Sequence, residues 1–282
     1  MRYRFVLADV FTDQPFGGNQ LAVFPDARGL PESAMAALAR EFNFSEITFV
    51  LPPQDEAHTC RVRIFTPAGE LPFAGHPTVG TAAVLAAEGT PGPRLLLEEG
   101  VGVVPVDVSG GFARLTVSAP FQTTGERPPA EALAAALSVA PGDIADTWYG
   151  GVGLRFCYVR LTSRAAVDRV EWAGPPPAGW ASDVYVFAGD FRSGGELYAR
   201  SFVPGAGITE DPATGSACAG LVASLAHRSG LADGAYTLRV EQGVRMGRPS
   251  RIAATAQARG GRYTGASVGG DTVIVGEGTL SV

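Results

Sequence analysis

Arg63–Leu85, RIFTPAGELPFAGHPTVGTAAVL, is answered later in the chain by Arg200–Leu225, RSFVPGAGITEDPATGSACAGLVASL. Arg63-Ile64-Phe65-Thr66-Pro67 and Arg200-Ser201-Phe202-Val203-Pro204 stand 137 positions apart, and Gly75-x4-Gly80-x4-Leu85 and Gly215-x4-Gly220-x4-Leu225 stand 140 apart. Upstream, Ser45-Glu46-Ile47-Thr48-Phe49-Val50 is matched by Ser182-Asp183-Val184-Tyr185-Val186-Phe187, again at 137. Downstream, Glu98-Glu99-Gly100-Val101 is matched by Glu241-Gln242-Gly243-Val244 at 143. Four matches in one order, separated by small insertions, make an internal repeat, and a repeat determines architecture before any single motif does.

Each copy reads as strands, then one Gly-rich helix, then more strands. The segment 77–88, PTVGTAAVLAAE, carries Pro in its first turn and stops at Gly89, as helix-terminus chemistry predicts. Its partner over 215–229 ends before Gly230. Both are apolar on every side, and such a helix is enclosed by other structure, here by strands. Pro31–Glu41 and Pro129–Leu137 read as amphipathic surface helices, MRYRFVLADVF as the first strand, and the 37 Gly and 21 Pro as punctuation between many short strands. The fold class expected is α+β: two pseudo-symmetric domains, each a curled, mostly antiparallel sheet wrapped around a central helix. The turn-rich stretch around 119–130 sets the boundary, giving halves 1–122 and 123–282.

The 282 residues suit two modest domains. Hydrophobic residues at 46% against 18% charged indicate a packed globular chain. A net charge of -6 without any basic block speaks against nucleic acid and anionic membranes as partners. All 22 basic residues are Arg, so Schiff-base chemistry and a Walker A loop, which need Lys, are excluded. The three Cys, Cys60, Cys157 and Cys218, form no C-x-x-C pair, which argues against a zinc knuckle, a dithiol centre or a disulfide framework and fits a reducing cytoplasm. Asp9 interrupts the first apolar run, leaving it too short for a signal sequence or a membrane span.

Chemistry is expected at the starts of the two central helices, where backbone N–H groups and the helix dipole favour anions. Pro72-Phe73-Ala74-Gly75-His76-Pro77-Thr78 precedes the first and Glu210-Asp211-Pro212-Ala213-Thr214-Gly215-Ser216 the second. If the halves face each other about a pseudo-dyad, the two tips converge on one cleft that holds a substrate carboxylate. His76 lies at a helix start, where it is either catalytic or a packing residue. His227 sits in a last helical turn and His58 in a polar loop, both poorer candidates. Asp211 is a site residue or a helix cap. Glu46, within Phe42-Asn43-Phe44-Ser45-Glu46-Ile47-Thr48-Phe49, is the more unusual carboxylate: burial among aromatics raises its pKa, tuning it to take and return a proton near pH 7. The alternative is a Glu on the solvent face of a strand. Its counterpart Asp183 is a second base or a strand-end residue.

Cys218 aligns with Thr78, so no pair of thiols marks the two tips and Cys218 reads as a small core residue. No G-x-S-x-G elbow is present, Gly205-Ala206-Gly207 lacks the third Gly of a dinucleotide fingerprint, and no cluster has metal-ligand spacing. No metal or other cofactor is implied.

Several motifs in one order resemble the PhzF-like (phenazine biosynthesis) family, within the diaminopimelate epimerase-like fold, along nearly the whole chain. They are Asp9-Val10-Phe11 with Phe16-Gly17-Gly18-Asn19-Gln20-Leu21-Ala22-Val23, Asn43 to Val50, Arg63 to Pro67 through Gly75-His76-Pro77-Thr78-Val79-Gly80, Glu210 to Ala217, and Glu241-Gln242-Gly243 with Gly247-Arg248-Pro249-Ser250. The resemblance implies cofactor-independent isomerase chemistry, an active site between two domains, and a homodimer. The family's type enzyme isomerises a dihydro-hydroxyanthranilate. Glu46 stands where that family has its proton-shuttling Glu, and His76, Asp211 and Ser216 occupy its other polar active-site positions. Asn19, Gly75 and Gly215 take substrate-binding positions, the two glycines offering backbone N–H groups to a carboxylate. The resemblance leaves open that the last strand, about 271–280, crosses back to the first half. The expected partner is a small carboxylic-acid substrate. Rival readings are a small-acid binding protein without turnover and an amino-acid racemase of the diaminopimelate or proline type.

Overall fold

The structure, a computed structural model, describes residues 1–117, 119–176, 179, 181–204 and 209–282. The Gly205-Ala206-Gly207 stretch therefore lies outside the described residues. The chain forms two compact units, one of Met1–Thr116 with Gly269–Val282 and one of Val117–Val268.

In the first unit the order is β1 (Arg2–Val10), β2 (Asn19–Phe24), α1 (Glu32–Phe42), β3 (Ile47–Leu51), β4 (Cys60–Thr66), β5 (Gly69–Leu71), α2 (Gly75–Ala87), β6 (Arg94–Glu99), β7 (Gly102–Ser109) and β8 (Phe112–Val117). The second holds β9 (Phe121–Thr123), α3 (Ala130–Leu137), β10 (Ile144–Val152), β11 (Leu154–Leu161), α4 (Arg164–Asp168), β12 (Val184–Gly189), β13 (Gly195–Phe202), β14 (Glu210–Asp211), α5 (Gly215–Arg228), β15 (Gly234–Gln242) and β16 (Ser250–Arg259). The final strand β17 (Arg262–Ser281) runs antiparallel to β1, from Arg2 opposite Ser281 to Val10 opposite Thr272, with a bulge between Leu7 and Ala8. The α+β class and the repeat are thus present as built structure.

The pairing register reproduces the repeat residue by residue. Ile47 lies opposite Phe65 between β3 and β4, and Val184 opposite Phe202 between β12 and β13. Phe65 faces Glu70, and Phe202 faces Glu210. The parallel pairs Arg61 with Glu98 and Tyr198 with Glu241 complete the match. Even an ion pair is copied: Arg63 grips Glu70 through Nε (2.7 Å) and Nη2 (2.5 Å), and Arg200 grips Glu210 through Nε and Nη2 (2.8 Å each). Both guanidinium groups lie 5.1 Å from the ring of a neighbouring Phe, Phe65 or Phe202.

Each central helix is wrapped by strands, α2 by β1, β2, β3 and β7, and α5 by β9, β10, β11, β15 and β16. Nearly every residue of α2 from His76 to Leu85 is buried, so its all-round apolar character is the mark of enclosure. Close approach requires the repeated glycines. A Cβ on Gly80 would stand 2.5 Å from Val10 Cγ2 and 2.6 Å from Leu21 Cδ2, and one on Gly220 would collide with the Tyr158 hydroxyl. The opposite sheet faces carry separate apolar cores. In the first unit Phe24, Ile47, Phe49 and Phe65 pack with Met35, Leu38 and Ala39 of α1; in the second Val159, Val184, Val186 and Phe202 pack with α3 and α4. The short helix α4 has no counterpart among the sequence expectations. Ser163 starts it, its hydroxyl accepting from the Ala166 N–H.

Candidate active site

Strand alternation decides which way the first unit's key residues point. Ile47 and Phe49 of β3 enter the α1 core, so Glu46 and Thr48 belong to the other face, toward α2. Thr48 Oγ1 accordingly lies 2.8 Å from Thr81 Oγ1 of α2. Phe42 and Phe44, close to Glu46 in sequence, pack against the α1 core. The rise in pKa expected for Glu46 is present. Burial on the α2 side pushes the Glu46 carboxyl up to about 7, against the opposing pull of a Ser45 hydrogen bond.

Glu46, His76, Asn19 and Ser45 meet at this point. His76, the second residue of α2, is 6% exposed on its side chain and Glu46 18%. His76 Nδ1 lies 3.7 Å from Glu46 Oε2, longer than a hydrogen bond, and 3.3 Å from Asn19 Nδ2 at the start of β2. Ser45 Oγ donates to Asn19 Oδ1 at 3.2 Å. In this orientation Asn19 presents its NH2 to Nδ1, an arrangement that suits a neutral His76 with its ring proton on Nε2. The pair is thus a carboxyl group balanced between its two protonation states beside a buried imidazole. Gly75 immediately precedes His76 at the helix start, where Ala74 supplies no side-chain cap.

The second unit gathers Asp211, Gly215 and Ser216 around the start of α5. Asp211 ends β14 and is buried; its Oδ2 accepts from Thr214 Oγ1 at 2.5 Å. Gln242 braces this corner. Its Nε2 donates to the Asp211 carbonyl (2.7 Å) and to Thr214 Oγ1 (3.0 Å), while its Oε1 accepts from Tyr185 OH (2.9 Å) and the Thr214 N–H (3.3 Å). Gly215 and Ser216 are the first two residues of α5, Ser216 half-buried. Asp183 is half-buried just before β12, its carbonyl accepting from the Cys157 N–H, the place that Glu46 holds before β3. Cys218 is wholly buried, 3.3 Å from Tyr185 OH, and burial pushes its thiol up to about 12. His58 binds Glu98 (2.8 Å) in a loop, and His227 packs 5.5 Å from the Phe121 ring in the last turn of α5; neither joins these clusters.

The supporting polar residues went unnoticed in the sequence: Ser45, Thr78, Glu99, Thr214, Tyr185 and Gln242. One signal pointed to them. Glu99 and Gln242 are the repeat's matched pair in which a carboxyl replaces an amide, and both are buried beside a central helix start.

A family model described as phenazine biosynthesis-like protein (PhzC-PhzF) matches residues 8–278. The chain belongs to this family. It is 38% identical over 300 residues to an uncharacterized isomerase of Mesorhizobium japonicum, covering 99% of this chain and 98% of that one. It is 37% identical over 284 residues to the trans-2,3-dihydro-3-hydroxyanthranilate isomerase of Pseudomonas aeruginosa, with 98% of each covered. The PhzF-family protein of Bacillus anthracis shares its fold at a TM-score of 0.86, with 24% identity and all of both chains covered. The chain is accordingly a PhzF-family isomerase with an epimerase-like fold. Among the described residues no helix is long and apolar enough to cross a membrane.

Proposed function

We propose that the protein isomerises a small cyclic or unsaturated carboxylic acid by moving one proton between carbons through Glu46, without a cofactor, as in the conversion of trans-2,3-dihydro-3-hydroxyanthranilate. The observation that carries this reading is the Glu46 carboxyl at about 7, beside His76. Such a group accepts a proton from an activated C–H and returns it to another carbon, because neither of its states is strongly favoured near neutrality. The balance is complete within the substrate: one C–H bond breaks, another forms, and the double bonds shift. His76, with its proton on Nε2, and Asp211, held by Thr214, serve the substrate's polar groups. Gly75, Gly215, Ser216 and Asn19 take its carboxylate and neighbouring atoms, helix starts being favourable ground for anions.

A two-thiol racemase is disfavoured by the position of Cys218, whose thiol is pushed far above neutrality and whose repeat partner is Thr78. A binding protein has no need of a carboxyl tuned to exchange protons. The test is kinetic: Glu46→Gln should abolish substrate C–H exchange with solvent while substrate still binds. Exchange that survives in the variant would overturn the assignment.

A further inference from the structure

Glu99, at the end of β6, is 9% exposed and lies against the first turn of α2. Thr78 Oγ1 stands 2.7 Å from Glu99 Oε1 and 2.7 Å from the carbonyl oxygen of Ala74, the residue at which α2 begins. A hydroxyl has one proton and can donate to only one of two acceptors. Two oxygen contacts this short both hold if Thr78 donates to Ala74 and accepts a hydrogen bond from a protonated Glu99. An ionised Glu99 has none to give, and it would turn one of these contacts into a repulsion.

Two further observations agree. Among the described residues no cation pairs with Glu99, and its Oε2 is buried with no hydrogen-bond partner, an arrangement tolerable for a carbonyl oxygen and costly for a charged one. The repeat supplies the second. Gln242 stands at the matched position in the other unit, where its NH2 donates to Thr214 Oγ1 and to the Asp211 carbonyl at the start of α5. The site under each helix start thus suits a neutral group that donates, and a protonated carboxyl has nearly the shape of an amide, with one donor in place of two.

We propose that Glu99 works as an un-ionised acid that donates to Thr78 and so positions the first turn of α2, the turn that carries Gly75 and His76. Glu99 touches no reacting atom in this account; it acts through Thr78 and Ala74. Burial pushes its carboxyl up to about 8, so raising the pH past that value withdraws the donor. Cys60 and Glu98 are the titratable groups beside it, and Glu46, at about 7, approaches His76 of the same turn. Cys60, on β4, is pushed up to about 12 by burial, with Glu99 and Glu98 adding to the shift. Glu98, its neighbour, is bound by the Gln54 and Asp55 N–H groups and by His58, and lies at about 2.

The relevance to catalysis rests on the proposed function; the protonation of Glu99 does not, and its test needs no substrate. Side-chain carboxyl 13C NMR on the full chain, assigned by comparison with Glu99→Gln, should show one Glu resonance of neutral form at pH 7 that titrates above it. Exchange of the Thr78 amide, which donates to the Ala74 carbonyl, corrected for intrinsic base catalysis, should accelerate roughly thirtyfold between pH 7 and 9.5 in the wild type, as the neutral fraction falls tenfold per pH unit past a midpoint at about 8. In Glu99→Gln it should change less than about twofold, because an amide donates at every pH. Thr78→Val should remove the pH dependence while keeping the 13C signature. A Glu99 resonance of ionised form at pH 7, or equal pH responses in wild type and Glu99→Gln, would overturn the proposal. Isomerase activity absent alongside the expected NMR results would refute the proposed function alone.

Discussion

Replacing Glu46 by Gln should remove proton transfer and at the same time stabilise the protein, two outcomes that a structural carboxylate would not combine. The carboxyl rises from an ordinary value near 4.5 to about 7, chiefly through burial. At about 1.4 kcal/mol per pH unit, that difference corresponds to about 3 kcal/mol. The sign follows from proton binding: the folded state holds the proton more tightly than the unfolded one, so the native state carries no penalty below about pH 4.5. The penalty grows as pH rises and is complete above about 7. Gln cannot ionise and escapes it. Glu46→Gln should therefore match the wild type at pH 4.5 and exceed it by up to about 3 kcal/mol at pH 8.5, roughly 6 to 12 °C in melting temperature for a chain of this size. Thermal unfolding at the two pH values, with solvent-exchange kinetics at pH 7, makes the comparison. An equal or lower melting temperature for the variant at pH 8.5 would refute the idea that burial strains Glu46 toward its neutral form.

Three other outcomes follow from the packing. Arg200→Ala should cost about 3 to 5 kcal/mol, since it strands the largely buried Glu210, whereas Arg63→Ala, whose partner Glu70 is 38% exposed, should cost about 1; urea midpoints compare them. Gly80→Ala should destabilise by about 1 to 3 kcal/mol despite the better helix propensity of Ala, because the added methyl presses on Val10 and Leu21. Iodoacetamide should leave Cys60, Cys157 and Cys218 unmodified in the native protein, with exchange activity retained, and should label all three after denaturation, as mass spectrometry would show; their buried thiols all lie at about 12.

The repeat made the fold legible because residues matched at one spacing take matching places in the sheet: Ile47 matches Val184 and Phe65 matches Phe202, and the strand pair Ile47–Phe65 is copied as Val184–Phe202. The helix starts were visible in Pro and Gly chemistry, which depends only on neighbours in the chain. Less legible was anything decided by which face a side chain takes. Phe42 and Phe44 precede Glu46 in sequence and pack against the α1 core, while burial raises the Glu46 carboxyl as its apolar surroundings in sequence suggest. Thr78, Thr214 and Tyr185 looked like ordinary strand or helix residues, and their importance arises from hydrogen bonds to Glu99 and Gln242, far along the chain. Helix α4 is five residues long, too short for a periodic signal, and only the Ser163 cap announces it.

The central claim is that Glu46 carries a proton between carbons of a small acid. Proton NMR in deuterated water, with trans-2,3-dihydro-3-hydroxyanthranilate and related unsaturated acids, tests it most directly. The account predicts deuterium entering product with the wild type and none with Glu46→Gln. Exchange by the variant at the wild-type rate would contradict it.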